Sequence, residues 1–324
     1  MSHILLPRYI LLSSKSNASH CISPGLSFER CFLISHAHFD HISGLVLSAG
    51  SLSGDRKRVY ALKNTLDSIA SVFNDRLWPN LASFDERDER SKLHLCPSVS
   101  TPFPGFVPNV IFACSLRLGQ PRYTQIHASV SVLPLRLSHG VSSQDSRMQV
   151  LSTAFFLRHD PTQKEILFFG DVEPDALSLN PMNLSVWRTA APKIPHALSA
   201  IFIECSWASE RSDDTLYGHL SPPHLLDELL VLATEVWKVR TTQSSGRSLL
   251  QRMKLTTGKS LSPSSEELRG ILDGLSIYII HCKSDLTSER PARNLIEKQI
   301  KELMQQKGLG ANILAVEQGS ILHL

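Results

Sequence analysis

Six consecutive residues, His36-Ala37-His38-Phe39-Asp40-His41, carry three imidazoles and a carboxylate directly behind the apolar run Cys31-Phe32-Leu33-Ile34-Ser35. Folding alone has no use for that density of titratable groups. Imidazole nitrogen and carboxylate oxygen are donors that zinc and similar divalent cations accept. The apolar run reads as a buried strand, so the cluster stands at a strand end. His36 and His38 then point one way, and Asp40 and His41 turn into the following loop. Three further strand-like runs end on the same kind of residue: 130–135 leads to His139, 166–169 to Asp171, and 275–280 to His281. Any one of these reads as a turn residue. Together they supply donors for two metal ions at a shared rim of strand ends.

The elements that must position these groups follow from the hydrophobic pattern. After the first strand, residues 42–52 form an apolar helix and 59–62 a short strand. A helix opens at Asn64, with Leu66, Ile69, Ala70 and Phe73 at helical spacing. Residues 84–100 are charged and read as loop. Strands at 152–158 and 166–169 flank a hairpin turn at Asp160-Pro161-Thr162. Another buried strand is expected at 200–205, helices at 223–239 and 291–307, and a last strand at 313–316. Residues 240–265, rich in Ser, Thr, Lys and Arg, read as a solvated insertion. The first 24 residues are Ser-rich and carry little pattern.

Composition narrows the class. The chain has 324 residues, 42% of them apolar and 19% charged, which fits a globular protein of one large domain or two small ones with a sizeable core. A formal net charge of +3 is too close to neutral to argue for a nucleic-acid footprint. No stretch reaches the length of an apolar membrane span, and Pro7 and Arg8 break the opening as a signal peptide. A cytoplasmic protein is expected. The six cysteines show no C-x-x-C pair, which speaks against a disulfide scaffold and a thiolate metal site.

The run H-x-H-x-D-H with distant His, Asp and His resembles the metallo-β-lactamase superfamily. The surrounding text is more specific. Ile34-Ser35-His36-Ala37-His38-Phe39-Asp40-His41-Ile42-Ser43-Gly44 resembles the signature of the class II cyclic-nucleotide phosphodiesterases, the fungal low-affinity cAMP type. Phe73-Asn74-Asp75-Arg76-Leu77-Trp78-Pro79-Asn80, Leu137-Ser138-His139-Gly140, Phe169-Gly170-Asp171-Val172-Glu173-Pro174-Asp175, Ile203-Glu204-Cys205-Ser206 and Gly218-His219-Leu220-Ser221 extend the likeness. It covers the chain from about residue 26 onwards. Phe39 stands where that family usually has Leu, and Ala49-Gly50 where it usually has Ser-Pro.

The resemblance implies an α/β fold, an αββα sandwich of two mixed sheets flanked by helices, spanning residues 1–324 as a single domain. It implies two divalent ions, zinc foremost and Mn or Fe as alternatives. The first would be held by His36, His38 and His139, the second by Asp40, His41 and His281, with Asp171 bridging. Asp40, His219 and Glu204 are the expected catalytic side chains, His219 as acid toward the leaving oxygen and Glu204 as the group that orients it. Phe73, Trp78 and Asn80 are the expected purine contacts. The expected substrate is cAMP, then cGMP, with no nucleic-acid or membrane partner and a homodimer allowed. Two rivals differ in kind. A ribonuclease Z-like phosphodiesterase would use the basic insertion (Arg240, Arg247, Arg252, Lys254, Lys259) to grip RNA, and a non-catalytic descendant would have lost ligands.

Overall fold

The structure, a computed structural model, describes residues 3–5, 11–13, 31–97, 122–142, 148–245, 262–283, 291–317 and 319–322. In its first third the strands are β1 (His3–Leu5), β2 (Leu11–Ser13), β3 (Cys31–Leu33), β4 (Lys57–Ala61), β5 (Ala82–Ser83) and β6 (Leu93–Pro97). Then come β7 (Thr124–His127), β8 (Val130–Val141), β9 (Gln149–His159), β10 (Lys164–Phe169), β11 (Leu198–Glu204), β12 (Ser276–Ile280), β13 (Asn312–Ala315) and β14 (Ile321–Leu322). The helices are α1 (Phe39–Ser48), α2 (Lys63–Val72), α3 (Asn183–Ala190), α4 (Pro222–Ser245) and α5 (Ala292–Lys307). This is the expected class, mixed α/β with two main sheets flanked by helices. Contacts group the chain into two units: Met1–Leu135 with Phe155–Pro161 and Gln318–Leu324, and Arg136–Ala154 with Thr162–Glu317.

In the first unit, β3, β4, β6 and β5 form a parallel sheet in that order. Its core takes Phe32, Val59, Leu93 and Leu95 from the strands, Ile34 from just beyond β3, Ile42, Leu45 and Val46 from α1, and Leu66 and Ile69 from α2. The i, i+3, i+4 spacing in α1 puts its three apolar residues on one face. Burying each such side chain is worth roughly 1.5–3 kcal/mol relative to exposure. The strand β6 was hidden in a stretch that reads as charged loop, because Leu93 and Leu95 alternate with polar neighbours only at its end. At the start of the chain, β1 pairs with β2 and β14, so strands are present where the Ser-rich text shows no pattern.

In the second unit, β10, β11, β12 and β13 run parallel and adjacent, with Phe168 beside Phe202 and Glu204 beside Ile280. Ala200, Ile201, Phe202 and Ile203 are all buried, the near-continuous apolar run that a parallel strand inside a layered fold requires. Helix α4 packs against α3 and α5, and α5 also packs on β13 and buries Ile296, Ile300 and Met304. One expectation is corrected here. The helix expected to end at 239 continues to Ser245, so Arg240 belongs to α4 and not to an insertion. Back-bonding of the Thr234 and Thr242 hydroxyls to the carbonyls of Leu230 and Lys238 lets these threonines sit inside the helix. Arg247, Arg252, Lys254 and Lys259 lie outside the described residues. Among those described, no helix is long and apolar enough to cross a membrane.

Candidate metal and catalytic site

In the first unit the polypeptide leaves β3 and enters α1 within five residues, and that tight passage gathers the imidazoles. Asp40 and His41 are not in a loop, as expected, but in the first turn of α1, which His38 precedes as N-cap. The carbonyl of His38 accepts from the amides of His41 and Ile42 at 2.9 and 3.2 Å, fixing the turn. Asp40 there also places a negative charge at the positive end of the helix. His36 and His41 are buried and His38 is exposed. The His36 ring lies 4.6 Å from that of His38 and 4.2 Å from that of His41, centroid to centroid. Nδ1 of His36 sits 3.1 Å from the Ser35 hydroxyl, and a carboxylate oxygen of Asp40 lies 3.6 Å from His41 Nε2.

In the second unit the functional groups stand at the C-terminal ends of adjacent strands. Asp171 follows β10, Glu204 ends β11, and His281 follows β12, with His139 supplied by β8 and His219 by a loop. One oxygen of the Asp171 carboxylate, Oδ2, has His139 Nε2 at 3.7 Å, His281 Nε2 at 3.6 Å and His219 Nδ1 at 3.8 Å. These separations are too long for direct hydrogen bonds. His139, Asp171, Glu204 and His219 offer donor atoms that all lie within 4.8 Å of one another.

Hydrogen bonds on the far side of each ring settle which nitrogen faces inward. Nδ1 of His139 lies 2.7 Å from the carbonyl oxygen of Gly218, an acceptor only, so Nδ1 carries the proton and Nε2 the lone pair. The Ser206 hydroxyl has a single hydrogen, which goes to Glu204 Oε2 at 2.7 Å. It therefore accepts from His281 Nδ1 at 3.0 Å, and His281 Nε2 is also left with its lone pair toward Asp171. Imidazoles whose outer nitrogen is held by a carbonyl or a hydroxyl are the usual form of metal-binding histidines. The donor set therefore fits a divalent cation.

The His139 bond depends on two glycines. Gly140 and Gly218 have φ of 76° and 77°, and a Cβ on Gly218 would sit 2.8 Å from the His139 carbonyl carbon and oxygen. Only glycine allows both the left-handed backbone and that approach.

Glu204 organises the rest. It is fully buried. Its Oε1 accepts from His219 Nδ1 at 2.7 Å and from the Val172 amide at 3.1 Å. Its Oε2 accepts from Ser206 and, at 3.4 Å, from the Leu220 amide. Both oxygens are thus committed to donors, which makes Glu204 a hub and not a metal ligand. Burial would raise its carboxyl, but the charge of His219 and their hydrogen bond outweigh burial and hold it below the usual carboxylate range. His139 is pushed down to about 4, mainly by burial, with Asp171 opposing, so it is neutral near pH 7. The loop carrying Asp171 is pinned on both sides. The Glu173 amide donates to the Ser138 carbonyl at 2.9 Å, and the Asp175 carboxylate accepts from the amides of Met182, Asn183 and Leu184 at the start of α3.

Residues 16–319 match the family model described as cAMP phosphodiesterases class-II. The chain belongs to that family. The class-II phosphodiesterases similar to it include the 3′,5′-cyclic-nucleotide phosphodiesterase of Schizosaccharomyces pombe, 30% identical over 271 residues, covering 81% of this chain and 70% of that protein. The protein of the same name from Aliivibrio fischeri is 28% identical over 297 residues, covering 90% and 70%. The crystal structure of unliganded yeast PDE1 superposes with a TM-score of 0.68 at 26% identity, over 91% of this chain and 69% of that one. The expectation of a metal-dependent cyclic-nucleotide phosphodiesterase with this fold is met.

Within this class-II phosphodiesterase, one expected purine contact is corrected. Phe73 is 2% exposed and lies in the core with Phe32, Leu66 and Ile69, so it has no face to offer a base. Its helical spacing with Leu66 and Ile69 already marked it as core. Trp78 is half-buried against that same core, and Asn80 is exposed, its backbone N–H donating to Asp75 Oδ1 at 2.8 Å. Sequence reasoning missed Ser206 and Lys283. The Lys283 ammonium donates to His219 Nε2 at 2.8 Å. The one available signal was its position two residues beyond His281.

Proposed function

We propose that the protein hydrolyses the 3′,5′-cyclic phosphodiester of cAMP, and of cGMP as second substrate, to the 5′-monophosphate, lowering cyclic-nucleotide signalling in the cytoplasm. The observation that carries this reading is the pairing of a buried, ionised Glu204 with His219 beside a carboxylate ringed by imidazoles. Two divalent ions, zinc by preference, would be held by His36, His38 and His139 and by Asp40, His41 and His281, with Asp171 shared. When bound, such ions neutralise phosphate charge and lower the pKa of a water so that it attacks at neutral pH.

The remaining work falls to the side chains. His139 and His281 keep their inward nitrogens unprotonated through Gly218 and Ser206. Asp40 acts as a ligand and as a catalytic carboxylate beside His41. Glu204 holds Nδ1–H of His219 and stabilises the imidazolium formed when Nε2 takes up a proton from solvent, and that proton passes to the 3′-oxygen as its bond to phosphorus breaks. The test is product identity in ¹⁸O-labelled water. The reading requires 5′-AMP with label on its phosphate, and 3′-AMP or intact cAMP would refute it.

A further inference from the structure

The corrected place of Phe73 removes one of the expected base contacts, and the second unit offers an aromatic face beside His219. Tyr217 is 70% exposed at φ 54°, an uncommon backbone state for a bulky residue, two positions before His219. The Arg211 guanidinium lies 4.2 Å from the centroid of Trp207 and 5.7 Å from that of Tyr217. The loop is stitched to itself, for Trp207 Nε1 donates to the Leu216 carbonyl at 3.1 Å and Arg211 Nε to the Thr215 carbonyl at 3.0 Å. Lys283 completes the group, with Nζ at 2.8 Å from His219 Nε2 and 5.8 Å from the Trp207 centroid.

Strain kept at an exposed aromatic marks a position selected for something other than folding. An exposed ring, a stacked guanidinium and an ammonium at the reacting end match a nucleotide in order: base, then phosphate. Aromatic faces and guanidinium planes stack on bases, and guanidinium also hydrogen-bonds purine edges. We infer that Tyr217 and Arg211, braced by Trp207, bind the nucleobase of the substrate, and that Lys283 moves from His219 Nε2 onto a phosphate oxygen when substrate arrives. The inference rests on the reading of the substrate as a cyclic nucleotide.

The experiment compares cAMP with a base-free substrate, 1-deoxyribose 3′,5′-cyclic phosphate, and measures 5′-AMP binding to the whole protein by calorimetry. Tyr217→Asn keeps a residue that tolerates this backbone while removing the ring. It should raise KM for cAMP and weaken 5′-AMP binding about tenfold, with a several-fold smaller shift on the base-free substrate. Tyr217→Phe should restore wild-type values. Lys283→Met should weaken both substrates and Lys283→Arg should recover most of the loss. Equal shifts on the two substrates, no shift for Tyr217→Asn, or a Phe variant as impaired as Asn would overturn the base assignment. Unchanged KM values in Lys283→Met would overturn the phosphate assignment. A wild-type protein that cleaves only the base-free substrate refutes the cyclic-nucleotide reading, an outcome distinct from variant data.

Discussion

Glu204 reaches His219 directly, 2.7 Å from Oε1 to Nδ1, and reaches His281 through the Ser206 hydroxyl on its other oxygen. One buried carboxylate thereby sets the proton position on two imidazoles of different duty, a proposed acid and a proposed metal ligand. It also holds the amide next to Asp171. The division follows from hydrogen-bond valence: each carboxylate oxygen takes two donors, and neither remains for a cation.

Removing the acid should leave the metals in place. His219→Ala is expected to keep metal content while kcat for cAMP falls about 10²–10⁴-fold, the range for general acid catalysis. Elemental analysis beside steady-state kinetics checks this, and near-normal turnover in a fully loaded variant would end the acid role.

Ser206→Ala tests the relay to His281. Without the hydroxyl, His281 Nδ1 loses its acceptor and the ring its fixed orientation. Metal affinity should drop about 10–100-fold, the usual cost of losing such a support. Competition with a fluorescent chelator gives the number.

The His139–Gly218 contact predicts a backbone-sensitive site. Gly218→Ala would force a Cβ against the His139 backbone at 2.8 Å and a non-glycine residue into φ 77°. The backbone conformation alone costs about 1–2 kcal/mol, so urea unfolding should show at least that loss.

Stability of the chelator-stripped protein should depend on pH through His139. Its folded value is about 4 against 6.5 for the free side chain, so the unfolded chain binds the proton more readily. The contribution is complete above pH 6.5 and is lost as pH falls through 4, about 3 kcal/mol in all. His139→Asn should flatten the profile of unfolding free energy between these limits, and parallel profiles would contradict it.

Much of this site was legible because its residues break local patterns. Three imidazoles in six residues have no packing use, and Asp171 and His281 sit where buried strands run out. Helical phase was harder to see: the N-cap geometry that draws Asp40 and His41 into α1 leaves no Ser, Thr or Asn signal at His38. Beyond the Glu204–His219 pair, tertiary placement was invisible. Lys283 is a lone lysine in the sequence, and its contact with His219 spans 64 positions. Trp207 and Arg211 are held by hydrogen bonds to loop carbonyls, with Tyr217 beside the Arg211 guanidinium, an arrangement no side-chain pattern encodes.

The most direct measurement is the metal content of the purified protein together with cAMP cleavage before and after a chelator. The account predicts two divalent ions per chain and AMP release that vanishes on chelation and returns with zinc. Cleavage that persists in metal-free protein, or a fully loaded protein that leaves cAMP intact, would contradict it.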